Sequence, residues 1–184
     1  MISENTILRS TFKRIWWWAA IAGFILLILA IYPIDVFTLR LPKYHLKQIA
    51  AIRISQGQEV VVAYRHSVER TRVEGRFRIG PGPALYAHET RMASVGTGLP
   101  NSSPGKTRRD GEWFIVDEGL TKLEDGLRFY LSPVNHTRVI AAGQHINLEK
   151  IKAGSIIQLD VERIRLIKWL LWRFAGISWL TEIE

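Results

Sequence analysis

The chain has 184 residues, enough for one domain of ordinary size plus an appendage. It carries a formal net charge of +8 and no cysteine, which excludes thiol catalysis, thiolate metal sites and disulfide bracing. The fold must rest on an apolar core, and the basic balance fits anionic headgroups or acidic solutes, with nucleic acid disfavoured once the location below is read.

Residues 15–34 run from Ile15 through the block Trp16, Trp17, Trp18 to Ile34 without one charged or amide side chain. At about 1.5 Å per residue the stretch covers about 30 Å, the thickness of a hydrocarbon core. A helix apolar on every side needs complete burial, and the rest of the chain is too small to give it. A cleaved signal peptide has a shorter apolar region and a small-residue exit. Here the exit is Ala30-Ile31-Tyr32-Pro33, so the reading is a retained transmembrane helix. The three tryptophans suit the headgroup level. Ala19 and Gly23 form a small-xxx-small step, a common pattern that specifies no partner by itself. Arg9, Lys13 and Arg14 precede the span; Arg40, Lys43 and Lys47 follow it. The nearest flanks, Lys13-Arg14 against Asp35, place residues 1–14 in the cytoplasm as a tail and the remainder outside, at an inner (cytoplasmic) membrane.

Residues 35–46 read as an extended tether carrying Pro42. From residue 47 to 161 the periodicity becomes two, and strands are expected at 49–55, 59–66, 72–79, 84–92, 112–116, 127–132, 138–142, 144–148 and 155–161. In 72–79 the alternation is clean, with Val73, Gly75, Phe77 and Ile79 on one face and Arg72, Glu74, Arg76 and Arg78 on the other. Many short strands with no helix between them predict an all-β fold, an antiparallel β-sandwich or barrel. Residues 96–111 read as a long loop, rich in Gly, Pro and Ser and ending in Lys106, Arg108 and Arg109. Residues 162–184 form a tail with helical periodicity over 162–180: Leu166, Ile167, Leu170, Leu171, Phe174 and Ile177 share one face. Arg165, Lys168 and Arg173 lie opposite, with Trp169 and Trp172 between. Such a helix fits a membrane interface, with Trp169, Trp172 and Arg173 at the boundary, and equally a cap on the end of the β-domain.

Polar side chains bunch at His66, Ser67, Glu69, Arg70 and Thr71, with Glu74 close behind. At strand spacing His66 and Ser67 point to opposite faces, which excludes a shared proton, and no Gly-x-Ser-x-Gly elbow is present. His66, His88, Glu69, Glu74 and Glu89 have the chemistry of metal ligands, but His-Glu-x-x-His and calcium-loop patterns are absent, so no metal and no cofactor is expected. A second group, Gly96-Thr97-Gly98-Leu99-Pro100, leaves backbone amides accessible to an anion, although a turn requiring positive φ explains it equally. Asn101-Ser102-Ser103 and Asn135-His136-Thr137 have the form of glycosylation sequons.

Taken together, His66-Ser67-Val68-Glu69-Arg70-Thr71 with Glu74, and Glu89-Thr90-Arg91 leading to Gly96-Thr97-Gly98-Leu99-Pro100, resemble the bacterial family of domain of unknown function 1850. There the first segment commonly reads His-Ser-Val-Glu-(Lys/Arg)-Thr and the second Phe-Gly-Ala-Gly-(Leu/Val/Met)-Pro. Here Val95 stands for the aromatic and Thr97 for the alanine. The resemblance covers about residues 47–161. It implies an N-terminal membrane segment, no catalytic activity, and an association with TRAP transporters of the TAXI type, which take up organic acids. The expected function is that of a membrane-anchored accessory subunit contacting the permease or the solute-binding protein. His66, Ser67, Glu69, Arg70, Thr71, Glu74, Glu89, Gly96, Thr97, Gly98 and Pro100 would form the contact surface. The alternatives are a membrane-tethered hydrolase or metal-dependent enzyme, and a free-standing envelope protein that binds anionic lipid or solute.

Overall fold

The computed structural model describes residues 4–44, 47–94, 106–148, 151–174 and 181–182. Helix α1, Glu4–Ile31, contains over Arg14–Ile31 a stretch long and apolar enough to cross a membrane, and none of that stretch is buried against the rest of the chain. Pro33 stops it: proline restricts the residue before it and cannot donate to a helix. The apolar run therefore ends in two conformations. Tyr32 closes the helix by donating its amide to Ile28, and Ile34 is buried in a sheet.

That sheet corrects the expected tether. Pro33–Leu41 is strand β1, an inner strand of the domain. Its β-branched and aromatic residues are buried on both faces: Phe37, Leu39 and Leu41 enter the main core, while Ile34 and Val36 pack on the opposite side. A short 3-10 turn, Pro42–Tyr44, leads to β2 (Lys47–Arg53). There follow β3 (Glu59–Arg65), β4 (Arg72–Ile79), β5 (Leu85–Met92), β6 (Thr107–Asp110), β7 (Trp113–Leu123), β8 (Leu127–Tyr130), β9 (Arg138–Ala141), β10 (Gln144–Asn147) and β11 (Ile156–Arg165). Helix α2 (Leu166–Phe174) and a two-residue strand β12 (Thr181–Glu182) come last.

All strand pairs are antiparallel, in a four-stranded sheet ordered β2-β1-β11-β8 and an eight-stranded sheet ordered β12-β10-β9-β3-β4-β5-β7-β6. The fold is the expected all-β sandwich. Its core joins Phe37, Leu39, Ile157 and Leu159 of the small sheet to Val60, Val62, Phe77, Ile79 and Val139 of the large one. Each fully buried side chain of this size contributes about 1.5–3 kcal/mol. Strand β4 keeps the predicted alternation, with Val73, Phe77 and Ile79 inward. The last part of the expected 96–111 loop is instead β6, which pairs with β7 although it carries no apolar residue.

Strand β11 also runs longer than its periodicity indicates, so the C-terminal helix starts only at Leu166. Helix α2 lies on the outer face of the small sheet. There Leu166, Trp169 and Trp172 cover Ile34, Val36, Ala51 and Ile164, and the Trp169 indole donates to the Ala51 carbonyl at 3.3 Å. The two tryptophans expected at a membrane boundary thus face the sheet, while Leu171 and Phe174 are exposed, Phe174 at 85%. Arg173 is exposed and stacks on Trp169 at 5.5 Å.

Candidate functional site

The motif His66 to Thr71 forms the turn between β3 and β4, which corrects the strand reading of these residues. The His66 amide donates to the Thr71 carbonyl and the Arg70 amide to the His66 carbonyl, both at 2.9 Å, and Arg70 takes φ 54°. A residue in this left-handed region ends strand alternation, so the opposite-face argument for His66 and Ser67 no longer applies. Ser67, Val68 and Arg70 are exposed at the tip. His66 and Glu69 are half-buried, and His66 Nδ1 is buried with no hydrogen-bond partner among the described residues.

This tip lies at the end of the sandwich opposite α1. Strand β2 finishes beside the start of β1, where Ile54 donates to Asp35, and β3 then runs away from that point. On the small sheet, the Arg165 end of β11 adjoins Pro33, whereas its Ile156 end pairs with Tyr130. Nine strand steps at about 3.3 Å put these two ends about 30 Å apart. The segment joining β8 to β9 crosses between the sheets at the distal end, and its Asn135 carbonyl accepts from the Arg65 amide at 2.7 Å.

Two of the cavities at this end flank the β3–β4 pair, one on each side, and both are lined by Tyr64, Val73 and Thr137. The first, of about 420 Å³, lies over the outer face. Ala63 pairs with Glu74 on one side and Arg138 on the other, while Arg65 sits directly opposite Arg72. A small residue ringed by long ones leaves a pit, and Arg65, Arg72, Glu74, His136 and Arg138 line it. Arg72 donates to Glu112 at 2.5 Å and lies over the Trp113 ring at 5.1 Å. Glu74 accepts from Arg76 at 3.3 Å. Arg65 and Arg138 have no carboxylate partner among the described residues. The second cavity, of about 310 Å³, opens between the sheets against Phe77, Phe129 and Tyr130, with the buried Asn135 Oδ1 unpartnered beside it. Burial raises the pKa of the Tyr64 phenol at this wall.

Glu89 sits elsewhere, in mid-sheet. His88 is an extra residue in β5 against β4, a bulge that turns Glu89 onto the outer face opposite Arg76, while against β7 the extra residues, 118–120, lie on β7. The carboxylate is 6% exposed and accepts from Arg91 at 2.6 Å and Arg108 at 3.2 Å, with Arg76 at 3.9 Å. Burial raises its pKa, but the hydrogen bonds and charge of Arg91, then Arg108, outweigh this and hold the carboxyl below its usual range. Glu89 is therefore the centre of an arginine cluster, set back from the hairpin tip and adjoining Glu74 through Arg76. Among the described residues no three His, Asp or Glu side chains gather as a metal site requires. Gly96, Thr97, Gly98 and Pro100 lie outside the described residues.

The structure thus keeps His66, Ser67, Glu69, Arg70, Thr71 and Glu74 at one end of the sandwich and adds Tyr64, Arg65, His136 and Arg138, which sequence reasoning passed over. Their one sequence signal was the pair Arg65 and Arg72 flanking the motif at symmetric positions, and a hairpin at 66–71 brings those positions together. No curated protein and no solved structure matches the chain. A family model described as "Domain of unknown function" matches residues 60–148, a range that contains the hairpin, the pit and the arginine cluster. Residues 60–148 thus carry the domain of the DUF1850 family.

Proposed function

We propose that the protein is a membrane-anchored accessory subunit of a TAXI-type TRAP transporter, with its N-terminus cytoplasmic and its β-domain outside. In this reading α1 crosses the inner membrane, and the Lys13-Arg14 flank holds its start on the cytoplasmic side. The association with the transporter comes from the family likeness carried by the hairpin motif. The observation that supports it best is the way the domain is mounted. Helix α1 enters β1 with only Tyr32 between them, the Leu166 amide donates to the Tyr32 carbonyl at 2.8 Å, and Arg163 grips Asp35 with two bonds of 2.8 and 3.1 Å. A domain joined this closely holds a fixed place beside the bilayer instead of sweeping a volume around it. Exposed Leu171 and Phe174 on α2, next to α1, add an apolar contact at the membrane surface, with Lys168 and Arg173 for anionic headgroups. The hairpin end then stands about 30 Å from the end of α1, nearer an extramembrane partner such as the solute-binding protein than the permease core. Purification of the tagged chain in mild detergent tests the proposal. Retention of the permease or the binding protein supports it, and a chain recovered free of both overturns it.

A further inference from the structure

Beyond that reading, and independent of it, we infer that the Ala63 pit is a binding site for a small oxyanion, carboxylate or phosphate. Arg65 and Arg72 stand directly opposite each other on neighbouring strands, an arrangement that repels. Arg138, from a third strand, borders the same depression, and His136 adds an imidazole. Against these groups the pit offers one carboxylate, Glu74, which already accepts from Arg76. Arg72 is bonded to Glu112 through Nη2, so its charge is partly answered. Among the described residues, no carboxylate answers the charges of Arg65 and Arg138. Guanidinium groups bind carboxylate and phosphate in two-pronged fashion, and two of them bordering one concave space of this size suit a single planar or tetrahedral oxyanion. An anion between them also removes the repulsion between Arg65 and Arg72. A local rule broken with only partial internal compensation is what a ligand site looks like before its ligand arrives.

Calorimetric titration of the full chain in neutral detergent tests this, with succinate and with inorganic phosphate as probes at constant ionic strength. Saturable binding of either supports the site: succinate alone assigns a carboxylate ligand, phosphate alone a phosphoryl one. The double variant Arg65→Ala/Arg138→Ala should weaken binding about tenfold or more, while the charge-matched Arg53→Ala/Arg78→Ala, outside the pit, should leave it unchanged. Without ligand, Arg65→Ala should melt at or above the parent temperature, because it relieves repulsion. Absence of saturable binding, equal loss in the two double variants, or a clear drop in the melt of Arg65→Ala would each overturn the inference.

Discussion

Arg165, the last residue of β11, donates to the carbonyl of Ile31, the last residue of α1, at 3.0 Å. The domain thus caps its own anchor. Final carbonyls of a helix lack partners within it, and a cation there also answers the negative end of the helix dipole. With Leu166 bonded to Tyr32, this makes a two-point clamp where a flexible linker would otherwise lie.

Arg165→Ala should cost about 0.5–1 kcal/mol in thermal stability. Its larger effect should be on mobility: a spin label at Tyr32 should show faster motion in the variant than in the parent. Unchanged label motion would mean that the clamp does not stiffen the junction.

The arginine cluster predicts a pH dependence. The carboxyl of Glu89 is held low in the folded state, so its contribution is complete above the unfolded carboxyl pKa and is lost as pH falls through the lower folded value. Glu89→Gln should cost about 1–3 kcal/mol near neutral pH and less in acid, flattening the acid limb of the stability curve. Denaturant melts across that limb measure the change.

Asp160 behaves in the opposite sense. Burial raises its pKa, with the backbone bond from Val161 opposing, so the folded state favours the protonated form. Its contribution is present below the unfolded pKa and is lost as pH rises through the raised folded one. Asp160→Asn keeps an acceptor for Val161 and removes the buried charge. It should be neutral or stabilising near pH 7 and relatively less favourable in acid, as read by the same melts.

Gly126 has φ +67°, and a Cβ there would run into the Leu159 carbonyl. Gly82 has φ +72° with open space around it. Gly126→Ala should therefore cost about 2–4 kcal/mol, and Gly82→Ala about 1 kcal/mol from backbone strain alone. Equal melting losses in the two would show that the close approach at β11 is unimportant.

These sites also mark how far the sequence could be read. Strand β4 was legible because Val73, Phe77 and Ile79 alternate with charged residues on a half-solvated sheet. Strand β1 was not, since α2 covers its outer face and an apolar run on both faces loses the period of two. The four residues of β6, Thr107 to Asp110, carry no apolar signal at all; β7 makes them a strand by pairing. Within the site, the motif residues stood out by type, but their turn did not, because it depends on Arg70 adopting a positive φ. Arg138 reached the pit only through the order β9-β3-β4, a tertiary fact that no local window contains.

In the proposed role the β3–β4 hairpin meets a transporter subunit, and site-specific photocrosslinking in intact cells tests that contact most directly. A crosslinker at Val68, 74% exposed at the tip, should yield a discrete adduct with the solute-binding protein or the permease. One at Gly82, in the turn at the other end of β4, should not. No adduct from Val68, or the same adduct from both positions, would contradict the account.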